Sequence, residues 1–241
     1  MIELKNLSCS FDNRTILKDV NIKIQSHLSI LGANGSGKST LAKAICGLNA
    51  FDGKVIINDT NIKTLNLNQR AKALSYIPAK LEIYDEYINL IEFVLLGRFP
   101  HKESLFDYSK KDKKIVKETL EFLNISHLSE HTISSLSSGE QQLALIAQAL
   151  AQQSKIIIFD EPTANLDPHN SKIIAQHIKG LQKYHQVILI THDLHLASYV
   201  ETPILFIKDT SAQSYEEDFF TDETLSSLYD VVFDSLAVKY D

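Results

Sequence analysis

The sequence predicts an α/β fold in which a mainly parallel sheet is flanked by helices. It adds an antiparallel β subdomain near the N-terminus and a helical insertion. Two observations support this prediction. Apolar runs of strand length alternate with helical segments in the second half of the chain, and a glycine-rich loop separates a predicted strand from a predicted helix near the start. Strands that are apolar on both faces and joined by helices form parallel sheets.

Length and composition set the outer limits. The chain has 241 residues, of which 44% are hydrophobic, enough for one domain or one domain with a subdomain. The net charge is −6. The segment 110–114 is basic, but Asp112 interrupts it, so it predicts a solvated helix start. We therefore expect no nucleic-acid partner.

Several features predict a soluble, cytoplasmic protein. The first residues lack an apolar signal region. Nowhere does the chain approach the ~20 apolar residues of a membrane span. Cys9 and Cys46 are isolated from each other and from other ligands, which is typical of buried thiols in a reducing compartment.

The N-terminal part has the alternation of half-buried strands. Apolar and polar residues alternate around residues 2–7 and again around 20–24, with a turn predicted at residues 12–14. Asp52-Gly53 is a hairpin signal, and the strand 54–57 is predicted to follow it. An antiparallel piece is therefore expected on both sides of the glycine-rich loop.

Helical spacing replaces this alternation between residues 85 and 131. Residues 108–123 carry Ile115, Leu120 and Leu123 on a charged background, which predicts a helical insertion with mostly exposed surfaces. In the remainder of the chain, strands alternate with helices. The strands are predicted at 156–159, 187–190 and 204–207, and the helices at 169–184 and 194–200.

The glycine-rich loop matches the phosphate-binding pattern G-x-x-x-x-G-K-[ST]. It follows a predicted strand at 28–31 and precedes a helix at 40–46 that Gly47 ends, so the helix N-terminus faces the phosphates. Lys38 can reach the β and γ oxygens of a triphosphate, and the Ser39 hydroxyl can bind Mg²⁺. The nucleotide-binding residues expected here are Gly32, Ala33, Asn34, Gly35, Ser36, Gly37, Lys38, Ser39 and Thr40.

Two later strands end in residues suited to triphosphate chemistry. Asp160 follows the strand 156–159, and a carboxylate at the carboxyl end of a parallel strand suits Mg²⁺. Glu161 is then placed to polarise an attacking water. His192 follows the strand 187–190 at the same edge, where it can reach the γ-phosphate or hold the water.

A second anion site is predicted at residues 136–142, where a small-residue turn leads into an alanine-rich helix. With these motifs in this order, almost the whole chain resembles the ATP-binding-cassette ATPases. The resemblance implies ATP and Mg²⁺ as ligands. It also makes Ser137, Ser138, Gly139 and Glu140 part of the signature loop, Asp167 part of the D-loop, and Phe11 the aromatic that stacks on adenine.

The resemblance also implies an assembly and a division of the chain. In that family the signature loop of one copy covers the phosphates held by another, so two copies of this chain would form a head-to-tail dimer around ATP. Residues 1–80 and 152–241 would form the core with its β subdomain, and residues 81–151 the helical subdomain.

Three positions depart from the family pattern. Ser138 replaces a glycine, and Glu140 replaces a glutamine and adds negative charge, which predicts weaker closure. Ala79 stands where the family has a glutamine that touches Mg²⁺ or water. We therefore expect weaker coupling between nucleotide and partner, or substitution by a neighbour such as Lys80.

Residues 94–101 and 224–229 resemble segments of importer ATPases for iron–siderophore, haem and vitamin B12. This implies two copies peripheral to the cytoplasmic face of a membrane, beneath two integral membrane permease subunits, with a substrate-binding protein outside. The permease would dock on residues 84–106. Exporters, lipid-extraction ATPases and non-transport cassettes are the alternatives. The chain lacks the long coiled coil of DNA-repair members and the paired cassettes of ribosome-associated ones.

Overall fold

Two β-sheets organise the chain in the computed structural model, which describes residues 1–12, 14–82, 85–102, 107–216 and 218–233. The strands are β1 (Ile2–Phe11), β2 (Arg14–Ile24), β3 (Leu28–Gly32), β4 (Asp52–Ile57), β5 (Thr60–Asn61), β6 (Leu74–Ile77), β7 (Ile156–Asp160), β8 (Gln186–Ile190), β9 (Ile204–Lys208) and β10 (Ser211–Tyr215). The helices are α1 (Lys38–Ile45), α2 (Leu67–Ala73), α3 (Leu90–Leu95), α4 (Lys110–Phe122), α5 (Ser138–Ala151), α6 (Pro168–Leu181), α7 (Leu194–Val200) and α8 (Asp222–Tyr229).

The first sheet is antiparallel, with the strand order β2-β1-β4-β5. Its alternation follows the sequence: Ile2, Leu4 and Leu7 are buried while the residues around them are more exposed. The buried residues Leu4 and Leu7 are three positions apart instead of two, because the register of β1 with both neighbouring strands shifts there. Such an irregularity keeps apolar side chains on one face of a strand.

One turn prediction is wrong. Asp52 and Gly53 do not form a hairpin, because both belong to β4, in which Asp52 pairs with Ser8 of β1. Gly53 has a φ of 82°, and a Cβ there would clash with the carbonyl oxygen of Asn6, so the glycine permits a close approach of two backbones. The turn lies later, at Asn58 and Asp59, which both have positive φ. Asn13, in the other predicted turn, lies outside the described residues.

The second sheet confirms the predicted fold class. Its order is β10-β9-β3-β8-β7-β6, and every neighbouring pair is parallel except the edge pair of β9 and β10. The strands β3, β7 and β8 are almost entirely buried. Because they are adjacent and parallel, their carboxyl ends meet at one edge, which is where ligands bind in such sheets.

The helical part packs more closely than the sequence indicates. Val116, Leu120 and Leu123 of α4 and the following turn are buried in a core that continues to Ile157 and Phe159 of β7. The expectation of mostly exposed surfaces is wrong for this inner face. The predicted apolar stripe is also turned slightly, since Val116 is buried where Ile115 is only half-buried.

No helix in the described ranges combines the length and apolar character that crossing a membrane requires. Both cysteines are buried, as predicted. Burial raises the pKa of the Cys46 thiol above its ordinary value, with the negative charge of Asp160 as a smaller cause.

Candidate active site

The phosphate-binding loop connects β3 directly to α1. Gly37 is the N-cap residue of α1 with a φ of 103°, and within the described structure no side chain caps the first turn. The amide groups of that turn are therefore available to an anion. Gly32 is required for another reason, since a Cβ there would clash with the carbonyl oxygen of Ile207 on β9.

Lys38 is the positive centre of the loop. Its side chain is only 6% exposed, and its Nζ donates to the carbonyl oxygens of Gly32 at 2.8 Å and Ala33 at 3.2 Å. The same nitrogen lies 3.6 Å from Oε1 of Glu161. The loop thus wraps around its own lysine, which is held beside the carboxylate that follows β7.

Asp160 ends β7 and faces the loop. Its Oδ1 accepts a hydrogen bond of 2.9 Å from the Ser39 hydroxyl, and its Oδ2 accepts one of 2.6 Å from the Tyr76 hydroxyl. Asp160 is 4% exposed. Burying a carboxylate is costly unless hydrogen bonds compensate, and two hydroxyl groups do so here.

Glu161 and His192 form the next pair. The amide of Glu161 donates to the carbonyl of Ile190 at 2.8 Å, which ties the end of β7 to that of β8. The Oε2 of Glu161 lies 2.8 Å from Nδ1 of His192. Glu161 has a φ of 50°, a strained conformation for a residue with a side chain. Such strain persists where the surroundings fix the side chain in place, and it is common at catalytic sites.

These residues fit a magnesium ion. The Ser39 hydroxyl and the Asp160 carboxylate are hard oxygen donors 2.9 Å apart, which Mg²⁺ prefers. No cluster of three or more histidine, cysteine or acidic side chains suited to a metal occurs in the described ranges. Mg²⁺ usually takes one or two protein ligands and completes its shell with water and phosphate.

The predicted signature loop forms a helix N-terminus. Ser137 is the N-cap of α5, and its amide and hydroxyl donate to Oε2 of Glu140 at 2.8 and 2.7 Å. These hydrogen bonds hold the pKa of the Glu140 carboxyl below its usual 4.5. Glu140 therefore carries a negative charge at the end of the helix where an anion is expected.

Asn170 lies between Asp167 and Gly139 and is close to both. Asp167 caps α6 by accepting hydrogen bonds from the amides of Asn170 and His169. The hydrogen bonds from the backbone and side chain of Asn170 are the main causes of a lowered pKa of Asp167. The Asn170 side chain also donates to Asp167. A Cβ on Gly139 would lie 2.6 Å from Oδ1 of Asn170, so the absence of a side chain lets α5 approach α6.

The remaining predicted residues lie around the loop. Thr40 is half-buried in α1, and Ser138 is exposed at the start of α5, whereas Asn34 and Gly35 are exposed in the loop and Ser36 is half-buried. Phe11 is 72% exposed at the end of β1. Its hairpin partner β2 meets the loop, since a Cβ on Gly37 would lie 2.9 Å from Ile16.

The structure thus separates the predicted residues into two groups. In the first, Ser39 is hydrogen-bonded to Asp160, and the next residue, Glu161, contacts both Lys38 and His192. Ser137, Gly139, Glu140 and Asp167 lie near one another on α5 and α6. Across the described ranges, no hydrogen bond or ion pair joins Ser137, Ser138, Gly139 or Glu140 to the phosphate-binding loop.

Sequence reasoning missed Tyr76 as a site residue. In this part of the chain it singled out only Ala79, for its departure from the family's glutamine. The available signal was positional: Tyr76 lies on β6, and its register partner on β7, Ile158, is two residues before Asp160. No local motif shows that β6 and β7 are neighbours.

The segment 94–101 has a structural role. Arg98 is 3% exposed, and its Nε donates to Oδ1 of Asp112 at 2.8 Å, while Nη1 donates to the carbonyl oxygen of Ala151 at 2.6 Å. The His101 ring contacts the carbonyl oxygen of Gln152 at 2.9 Å. The segment therefore fastens α4 to the C-terminal end of α5.

Comparison with known proteins gives a consistent picture. The family described as ABC transporter matches residues 17–164. The manganese transport system ATP-binding protein MntB of Halalkalibacterium halodurans is 31% identical over 95% of this chain and 92% of its own length. A protein of Helicobacter pylori named for iron chelatin transport is 30% identical over 98% and 95%.

Two solved structures of ABC transporter proteins resemble this chain as well. A metal-chelate type ABC transporter in an inward-facing conformation superposes with a TM-score of 0.83 at 25% identity, over 96% of this chain and 89% of that one. The ATP-binding cassette MJ0796, solved as a dimer in a post-hydrolysis state with ADP and phosphate, superposes with a TM-score of 0.75 at 27% identity, over 89% and 98%.

Proposed function

This chain is an ATP-hydrolysing cassette of the ABC transporter family, and from that premise we propose that it powers an importer. The proposed cargo is an iron–siderophore, haem, cobalamin or related metal chelate. One observation carries the catalytic part: Lys38, Ser39, Asp160, Glu161 and His192 converge at one edge of the parallel sheet. The relative named for iron chelatin transport and the metal-chelate type transporter support the chelate cargo, whereas the relative named for manganese transport supports only a metal importer.

Each side chain has a defined task in this proposal. Lys38 exchanges its two carbonyl partners for oxygens of the β- and γ-phosphates. Glu161 accepts a proton from the attacking water, as a carboxylate held near the reacting phosphorus can. His192 holds Glu161 in place through Nδ1. Bound Mg²⁺, held by Ser39 and Asp160, would neutralise charge on the phosphates.

The second group of residues is proposed to act on a partner copy. Ser137, Ser138, Gly139, Glu140 and Asp167 have no polar contact with their own phosphate-binding loop in the described structure, yet they offer a helix N-terminus suited to a phosphate. A second, head-to-tail copy would place them against the ATP of the first. The dimeric state of MJ0796 supports this arrangement, and Phe11 would stack on the adenine.

The proposed permease contact lies on the helical subdomain, residues 81–151. An apolar cleft of about 130 Å³ lies there between Leu81, Ile88, Phe93 and Ile133. Leu96 lines it and is 47% exposed. An apolar side chain on a cytoplasmic helix of a permease would fill such a cleft. Tyr84 and Phe106, the ends of the docking segment expected from sequence, lie outside the described residues.

This proposal places the chain at the cytoplasmic face of a membrane, as a pair beneath two permease subunits served by a binding protein. Uptake in the source cell tests it. A strain lacking the gene should lose uptake of one radioactive metal chelate, and the wild-type gene should restore it, whereas Glu161→Gln should not. Loss of manganese uptake alone would overturn the chelate assignment. Unchanged uptake of every metal and chelate would favour an exporter, a lipid-extraction ATPase or a non-transport cassette.

A further inference from the structure

Tyr76 makes the shortest polar contact to the proposed magnesium ligand. It lies on β6, the edge strand next to β7, and its hydroxyl donates to Oδ2 of Asp160 at 2.6 Å. Ser39 donates to the other oxygen, Oδ1, at 2.9 Å. The two donors come from different elements, so together they fix the plane of the carboxylate.

The chemistry of this contact favours a lasting hydrogen bond. Asp160 is nearly buried, and a hydrogen bond to a charged group in such surroundings is about twice as strong as one between neutral groups. The phenol of Tyr76 is the donor in this hydrogen bond, because an ionised carboxylate can only accept.

Magnesium makes the orientation of this carboxylate important. The ion demands near-ideal octahedral geometry, so a ligand held in one orientation binds it better than one that rotates. Because Oδ2 accepts the hydrogen bond from Tyr76, Oδ1, beside Ser39, is the oxygen that would be left to bind Mg²⁺. Three residues beyond Tyr76, Ala79 provides no polar atom for this purpose.

We infer that Tyr76 is a positioning residue for magnesium, acting through Asp160 and connecting the metal site to the strand that leads into residues 81–151. The inference rests on the proposed function, because it takes Asp160 as the metal ligand. Tyr76 would thus provide the polar contact with the metal site that Ala79, in the place of the family's glutamine, cannot make.

Nucleotide binding tests this inference without relying on turnover. ATP affinity is measured in excess Mg²⁺ and in excess chelator, with Glu161→Gln as the background so that ATP stays intact. The ratio of the two affinities gives the contribution of Mg²⁺. We expect Tyr76→Phe to lower that ratio about three- to tenfold, because a single hydrogen bond to a charged group is lost. Tyr184→Phe, the same change at an exposed position away from the site, should leave it within about twofold.

A second background shows whether the effect passes through Asp160. In Asp160→Asn, the change Tyr76→Phe should lower the ratio no further, whereas a further loss would overturn the inference. An unchanged ratio in Tyr76→Phe, even with weaker ATP binding overall, would also overturn it, because Tyr76 would then shape the pocket and not the metal ligand. If the parent protein gains nothing from Mg²⁺, the metal assignment of the proposed function fails, and the role of Tyr76 fails with it.

Discussion

The Oε2 atom of Glu161 lies 2.8 Å from Nδ1 of His192, and its Oε1 atom lies 3.6 Å from Nζ of Lys38. The carboxylate is therefore held between an imidazole and the lysine of the phosphate-binding loop. A base fixed in this way loses little freedom when a water molecule is placed against it.

The first prediction concerns this carboxylate. Glu161→Gln preserves the shape of the side chain but removes the proton acceptor, so ATP turnover should fall about 10²- to 10⁴-fold. ATP binding should remain within about threefold, because the lysine and the loop amides are unchanged. Phosphate release and equilibrium binding measure the two quantities. Turnover at the wild-type rate would show that another group activates the water.

The second prediction concerns the charge of Glu140. Its pKa is lower in the folded chain than its usual 4.5, so its stabilising contribution is present above that value and is lost as the pH falls through the folded pKa. Glu140→Gln keeps an acceptor for Ser137 but removes the charge near the helix N-terminus. It should lower the free energy of unfolding by about 0.3–1 kcal/mol at neutral pH.

Denaturant unfolding of both proteins across the acid range checks this prediction. The difference between them should shrink as Glu140 takes up its proton, and a difference that stays constant with pH would contradict the assignment.

The same variant should bind ATP more tightly in the dimer, because a negative charge is removed from the surface proposed to meet the γ-phosphate. Weaker binding would show that the charge does not oppose closure.

The third prediction concerns Arg98, whose guanidinium is buried against Asp112. Burial alone would raise the pKa of the Asp112 carboxyl, but hydrogen bonds from Ser109 and Arg98 lower it on balance. Arg98→Met would leave Asp112 without its ion-pair partner inside the protein and should lower the free energy of unfolding by about 3–5 kcal/mol.

Denaturant unfolding again provides the measurement. The control is a substitution on α4, the helix that carries Asp112. Lys114 is 74% exposed in its pair with Glu118, so Lys114→Met should change stability by less than about 0.5 kcal/mol. Equal effects of the two substitutions would contradict a structural role for the segment 94–101.

The sequence predicted the parts of the site that are local in the chain. Residues 32–39 form one continuous motif, and Asp160 and Glu161 directly follow a recognisable buried strand. The fold class followed from apolar runs whose pairing obeys a simple rule for parallel sheets. In these cases the spacing of a few residues determines the geometry.

Contacts between distant residues could not be predicted. Tyr76 and Asp160 are 84 positions apart and meet only because β6 and β7 are neighbours. Asp52-Gly53 was misread because a glycine with positive φ serves a close backbone approach as well as a turn. The assignment of Asp167 and the consequence of Ala79 stay predictions, since each concerns a partner that a single chain does not contain.

The central claim is that ATP is bound and cleaved between two copies of this chain. Lys38→Ala disables the phosphate-binding loop of its own copy, and Ser137→Arg blocks the helix N-terminus that its copy offers to the partner. A heterodimer of the two contains one complete site, whereas neither homodimer contains any. ATP turnover of the equimolar mixture is therefore the direct measurement. We predict turnover well above that of either variant alone, and turnover no higher than the parents, with heterodimers verified, would contradict the claim.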